Sequence, residues 1–266
     1  MDVVILKDDQ TVAEAGAQAV QQLLRGKPNA VLGLASGRTP LAMYRRLIAN
    51  CRDAGLSFRD VTTFNLDEYL GLPPGDPQSY RAYMQRELFD HVDIDRENTF
   101  LPECDDHTEP LQAGQAYEAL IRARGGIDLQ VLGIGRNGHI GFNEPTSSLN
   151  SRTRIKTLTR DTVAANRQYF DDPDDQPRTA LTMGIATIMD ARRIVLLATG
   201  SEKAEAVRQS IEGPVTAMCP ASILQMHETV SVLLDEDAAS ALTLRDYYEW
   251  IAEQKRKLPV DAGSSD

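Results

Sequence analysis

The stretch from Ile127 to Pro145 reads IDLQVLGIGRNGHIGFNEP. Its first part is an apolar run, which predicts a buried β-strand over Asp128–Gly133. Its second part packs four glycines around one imidazole directly behind the strand end. Glycines there remove the Cβ atoms that would block a close approach of ligand or backbone. Glu144, five residues beyond His139, offers a carboxylate to orient the ring. A histidine in that setting points to proton chemistry near neutral pH rather than to packing.

Outward from this strand, short apolar runs alternate with helical patterns. Strands are expected at Val3–Leu6, Ala30–Ala35, Thr62–Asn65, Arg193–Thr199 and Thr229–Leu234. Helices are expected at Thr11–Arg25, Ser79–Asp90, Pro110–Arg124, Ser201–Glu212 and Asp237–Lys257. Another should open at Thr39-Pro40, with threonine as N-cap and proline in the first helical position. The alternation predicts an α/β fold, a mostly parallel sheet with helices on both faces. One domain over residues 1–260 is expected, with a frayed tail at 261–266. The exception to the alternation is Asn150–Met183, polar and short of strand signals. Its DDPDDQP tract, Asp171–Pro177, reads as a surface loop. The whole segment is either a peripheral excursion or a lid over a site.

Composition narrows the class. The 266 residues are 42% hydrophobic and 25% charged, an ordinary globular balance. A net charge of −11 argues against nucleic acid or an anionic membrane as partner. A phosphorylated ligand would have to be held by local donors against that field. Three cysteines without metal-ligand spacing exclude a disulfide scaffold or zinc site, and no metal is expected. With no signal peptide or long apolar span in view, a cytoplasmic protein is expected.

In a parallel α/β sheet, ligands bind beyond the carboxyl ends of the strands. Four predicted strand ends carry suitable residues. Ala35-Ser-Gly-Arg-Thr-Pro40 is a strand-to-helix turn whose free amides and Ser36 and Thr39 hydroxyls suit an anion, or form a plain capped turn. Asn65-Leu-Asp-Glu-Tyr69 has adjacent carboxylates, of which at most one faces a site; Asp67 is placed as a general base or as a turn cap. Of four histidines, His91 and His107 read as surface residues and His227 stays open, while His139 alone sits among glycines at a strand end. Gly200-Ser-Glu-Lys203 puts a lysine in the first turn of a helix, the wrong end for a cation unless an anion sits there too.

At these motifs the sequence resembles the glucosamine-6-phosphate deaminase (glucosamine-6-phosphate isomerase) family. The likeness runs through SGRTP, FNLDEYLGL, PQSYRAYM, GIGRNGHIGFNEP, SRTRIKTLT, ALTMGIATI and GSEKAEAV. It implies an open three-layer α/β/α, Rossmann-like fold. It also implies conversion of D-glucosamine 6-phosphate and water to D-fructose 6-phosphate and ammonia, without an organic cofactor. By the same resemblance Asp67 is the base at C2, His139 the acid–base group that opens the pyranose ring, and Glu144 the carboxylate that orients it. Ser36, Gly37, Thr39 and Lys203 match the phosphate contacts.

Two departures stand out. Many members are acidic where this chain has Asn137; the uncharged amide leaves His139 oriented mainly by Glu144, with a less raised imidazole pKa. The phosphate-binding arginine of the family lies two residues after an Ala-Asn pair. Here the run is Ala165-Asn-Arg-Gln-Tyr-Phe170, so Gln168 holds that slot and Arg167 stands one residue early, about 100° around a helix. A local shift returning Arg167 to the phosphate is the expectation. Finally, Ser147, Arg154 and Lys156 match residues that bind N-acetylglucosamine 6-phosphate as activator in hexameric members; the resemblance implies that Asn150–Met183 is a lid and the protein a homohexamer, the alternative being that Arg154 and Lys156 form a basic strip on a strand face. Other readings are a sugar-phosphate lactonase or isomerase on the same fold, with FNEP and Asp67 speaking against the lactonase, and a non-catalytic sugar-phosphate sensor.

Overall fold

A computed structural model describes residues 1–73, 75–104, 108–167, 170 and 176–257. The 107 histidine, Gln168, most of the Asp171–Pro177 tract and the tail after Lys257 lie outside the described residues. In chain order the elements are β1 (Asp2–Leu6), α1 (Asp9–Gly26), β2 (Val31–Leu34), α2 (Arg38–Asp53), β3 (Thr62–Asn65) and β4 (Asp67–Tyr69). Next come α3 (Tyr80–Glu87), β5 (Thr99–Phe100), α4 (Pro110–Ala123), β6 (Leu129–Gly133), β7 (Arg154–Thr157), α5 (Arg160–Asn166) and β8 (Thr179–Thr182). The chain continues through α6 (Ile185–Met189), β9 (Ile194–Ala198), α7 (Ala204–Ile211), β10 (Val230–Asp235) and α8 (Arg245–Lys257).

Seven strands form one sheet in the order β1-β10-β9-β6-β2-β3-β5, every pair parallel. Both faces are covered, so its central strands are buried apolar runs rather than alternating ones. On one face Leu32, Leu34, Leu129, Val131 and Val195 pack with Val12 and Val20 of α1 and Met43 and Leu47 of α2. On the other, Leu132, Leu196, Val232 and Leu234 pack with Tyr117 and Ile121 of α4 and Val207 of α7. This is the expected three-layer α/β/α arrangement. No described helix is long and apolar enough to cross a membrane.

Several boundaries differ from the sequence reading, each for a local reason. Helix α1 starts at Asp9 because Asp8 and Thr11 form a reciprocal cap, with Thr11 N donating to Asp8 Oδ1 at 2.9 Å. Helix α2 starts at Arg38, not after a Thr39 cap. The cap residue is Gly37, at φ 115°, a conformation threonine avoids, and the Thr39 hydroxyl instead meets that of Thr199 at 3.3 Å. The last helix begins at Arg245 rather than Asp237, where Glu212 accepts from Thr243 N and Leu244 N. Lys203 ends a 3-10 turn, Ser201–Lys203, and stands as N-cap of α7 rather than inside its first turn.

The larger omission is a second sheet. β4, β8 and β7 form a three-stranded antiparallel sheet, pairing Asp67 with Thr182 and Arg154 with Thr182. Two of its strands come from Asn150–Met183, the segment read as lacking strands.

Candidate active site

The four suspected strand ends belong to β9, β6, β2 and β3, which are consecutive in the sheet. From β2 the chain moves to β3 on one side, and from β6 to β9 on the other. The crevice therefore opens at the reversal of strand order, where parallel sheets bind ligands.

The adjacent carboxylates after β3 part company. Glu68 turns back as a cap, accepting from Tyr69 N and Tyr80 N at 2.9 and 2.8 Å and from Arg81 N at 2.8 Å. That satisfies the free amides at the start of α3. Asp67 points the other way, beside the histidine turn. A Cβ on Gly141 would lie 3.3 Å from Asp67 Oδ2 and 3.2 Å from Thr182 Oγ1, tight enough to push on both, and its φ of 55° also favours glycine. Asp67 is 5% exposed. Burial, with the neighbouring Glu68 charge, pushes its carboxyl up to about 8 against the pull of hydrogen bonds from Phe142 and Thr182.

The histidine turn is closed by Gly135 N donating to His139 O at 2.9 Å and Gly138 N to Gly135 O at 3.0 Å. His139 Nδ1 faces Asn137 Oδ1 at 2.7 Å, and Asn137 Nδ2 donates to Glu144 Oε2 at 2.8 Å. The same carboxylate oxygen is 3.4 Å from His139 Nδ1. This corrects the expectation that Glu144 is the main orienting group. Asn137 is the nearer partner and stands between the two, because the turn carries its side chain back over the ring two residues on. With an oxygen acceptor on Nδ1, that nitrogen carries the proton and Nε2 is the one left for substrate.

Glu144 is 2% exposed and anchored from α5, where Thr159 Oγ1 donates to Glu144 Oε1 at 3.1 Å and Thr162 Oγ1 donates to the same oxygen. Burial alone would raise its carboxyl. Hydrogen bonding and charge from His139, with Thr162 and Asn137, outweigh burial and hold it at about 2. Neither threonine was singled out from sequence, since nothing in SRTRIKTLTRDT marks them as partners of a residue 15 or 18 positions earlier.

Around the α2 turn, Ser36 shares a hydrogen bond with the Tyr80 hydroxyl, and the Gly37 carbonyl accepts from Tyr83 OH at 2.9 Å. Lys203 is half-buried. Burial lowers its ammonium pKa, Glu202 opposes that, and the positive charges of Arg136 and Arg38 lower it further. Arg38 and Arg136 thus join Lys203 in one cationic patch, a role the sequence reading did not give them. Arg167, just past α5, is exposed and makes no ion pair among the described residues. Beside it, Asn166 Nδ2 donates to Tyr69 OH at 3.0 Å.

Arg154 and Lys156 share one face of β7 and are half-buried, with Ile155 exposed between them. The Ser147 hydroxyl is buried and has no hydrogen-bond partner among the described residues. His91 is exposed, with Nε2 on Arg86 O at 3.0 Å, and His227 Nε2 lies 2.7 Å from Ala191 O.

Residues 8–233 match the family model described as glucosamine-6-phosphate isomerases/6-phosphogluconolactonase. A glucosamine-6-phosphate deaminase of Shewanella halifaxensis (strain HAW-EB4) is 54% identical over 263 residues, 99% of this chain and 100% of the relative. That of Hahella chejuensis (strain KCTC 2396) is 54% identical over 254 residues, covering 96% and 97%. A solved structure described as a monomeric glucosamine-6-phosphate deaminase of the NagB superfamily superposes with a TM-score of 0.88 at 44% identity, covering 91% of this chain and all of that one. The 6-phosphogluconolactonase of Trypanosoma brucei shares the fold, with a TM-score of 0.71 at 20% identity over 91% and 98%. The chain belongs to the glucosamine-6-phosphate isomerase/6-phosphogluconolactonase family.

Proposed function

We propose that this site converts D-glucosamine 6-phosphate and water to D-fructose 6-phosphate and ammonia. The observation that carries the reading is a buried carboxyl titrating near 8, Asp67, pressed against the turn that bears His139. The relatives at 54% identity are glucosamine-6-phosphate deaminases, which supports the same reaction.

His139 moves a proton at O5 through Nε2 to open the ring, exposing the C1 aldehyde. Asp67 takes the proton from C2 and returns it to C1, turning the C2 amine into an imine. Water adds to that imine and ammonia leaves, so the atoms balance with no external oxidant. A base with a pKa near 8 is well matched to this step, since its proton is lost and regained near working pH. Asn137 and Glu144 hold the imidazole in one tautomer and balance its charge when protonated. The phosphate stays away from the reacting carbons and serves as a handle. Its partners are Ser36, Gly37, Thr39 and Lys203, with Arg38 and Arg136 adding charge.

Arg167 completes this seat by a small movement of the end of α5. An Arg167→Ala variant with unchanged KM would remove it. Residues 150–183 act as a lid over one domain spanning 1–260, supported by the Thr159 and Thr162 contacts to Glu144. Ser147, Arg154 and Lys156 form an activator seat for N-acetylglucosamine 6-phosphate in a cytoplasmic homohexamer. Sigmoidal kinetics relieved by that ligand, from a hexamer in sedimentation, are expected. Hyperbolic kinetics from a monomer, the state described for the solved relative, would end this part. The deaminase reading itself is tested by ammonia release from glucosamine 6-phosphate, with none from the galactosamine epimer. No ammonia from either sugar would overturn it.

A further inference from the structure

We propose that Asn143 is a positioning residue whose side-chain amide locks the histidine turn onto the strand bearing Asp67, with Arg154 reinforcing the way that amide faces. Asn143 is fully buried. Its Nδ2 donates to Ile140 O at 2.9 Å and to Met183 O at 2.8 Å. Met183 N in turn donates to Leu66 O at 2.6 Å. Ile140 follows His139 and Leu66 precedes Asp67. The backbones beside the two reacting groups are therefore joined by a chain of three hydrogen bonds, two of them made by this one amide.

The orientation of that amide is set by all three of its partners. Arg154 Nη1 lies 2.8 Å from Asn143 Oδ1 and can only donate. The two carbonyls can only accept. A flipped amide would oppose like groups at all three contacts, so Arg154 reinforces the orientation that ties the turn down and satisfies the amide oxygen. Gly141, in the tied turn, is the residue whose missing Cβ admits Asp67. Phe142, next to it, donates from its backbone to Thr182 Oγ1 at 3.1 Å. Loss of the lock would lift this turn away from Asp67 and let water reach the carboxyl.

The inference rests on the deaminase reading for its kinetic readout. The test compares wild type, Asn143→Asp, Arg154→Met and Arg154→Lys in ammonia release from glucosamine 6-phosphate, without activator, with hydrogen exchange followed over residues 139–144. Asn143→Asp keeps the volume but sets a carboxylate oxygen against two carbonyls. It is expected to lower kcat on the order of a hundredfold, the scale for a misplacement near 1 Å, with Arg154→Met roughly tenfold. KM should stay within about threefold, because the main phosphate partners, Ser36, Gly37, Thr39 and Lys203, lie on other strand ends. The acid limb of kcat/KM should move down from about 8 by about one unit as Asp67 becomes hydrated. Arg154→Lys, which keeps a donor, should restore most of kcat.

A loss of kcat with the acid limb unmoved, or no rescue by lysine, would overturn the proposal. Should Asn143→Asp fail to fold, Arg154→Met at its half-buried site decides by the same criteria. Should wild type release no ammonia, the deaminase reading fails on its own. Exchange then decides: faster exchange at 139–144 in Arg154→Met supports the lock, and unchanged exchange refutes it.

Discussion

Asp67 and Glu144 are both buried carboxyls in one crevice, 5% and 2% exposed, yet one titrates near 8 and the other near 2. Burial pushes both upward, so burial does not separate them. Their partners do. Glu144 collects His139, Asn137, Thr159 and Thr162. Asp67 has the Glu68 charge nearby and only the Phe142 amide and Thr182 hydroxyl in opposition. The lesson is that a site can hold one carboxyl ready to exchange a proton and another permanently charged by changing neighbours alone.

Replacing Asp67 by Asn should break the comparison most severely. Loss of about a thousandfold in kcat is expected from ammonia release, the range for a removed general base. In wild type, kcat/KM should rise with pH up to about 8, as Asp67 loses its proton. The linkage runs in the same sense. The folded form keeps a proton that the unfolded chain gives up above about 3.8, so stability from this group is full below that pH and lost as pH rises through about 8. Thermal melts should therefore find Asp67→Asn more stable than wild type at pH 9, with the gap closing towards pH 3.5.

Glu144→Gln should cost less activity, about tenfold, because Asn137 keeps its hold on His139. Its stability signature has the opposite sign. A carboxyl lowered from 4.5 to about 2 stabilises above the first value and loses that contribution as pH falls through the second. The variant should melt below wild type at pH 7 and converge with it near pH 2. Identical melts at pH 7 would show that the two carboxyls are not opposites.

The smallest effect is expected from Asn137→Asp, which turns a neutral link into a second charge beside the imidazole. The basic limb of the pH–rate profile should move up by about one unit. A profile superimposable on wild type would take Asn137 out of the relay.

The sheet strands and the four candidate turns were legible because buried parallel strands read as apolar runs and their ends as glycine or ionisable clusters. The second sheet was not. In Arg154–Thr157 the charged residues are half-buried and Ile155 is exposed, which inverts the pattern that marks a strand. His139, Glu144 and Asp67 could be named from their motifs, but the order of contact could not. That Asn137 intervenes depends on a turn closed by two backbone hydrogen bonds, and that Thr159 and Thr162 hold Glu144 depends on where α5 lands. Glu68 rather than Asp67 capping α3 was equally invisible, since adjacent carboxylates look alike in a sequence.

The position of β6 in the sheet also has a consequence for time. It is inserted between β2 from the early part of the chain and β9 from the late part, and the histidine turn hangs from its end. Before that insertion the crevice has no two sides. Pairings so distant along the chain close slowly. On refolding from denaturant, helical signal should return first and turnover last, so that a half-built molecule is unreactive towards any sugar phosphate it meets.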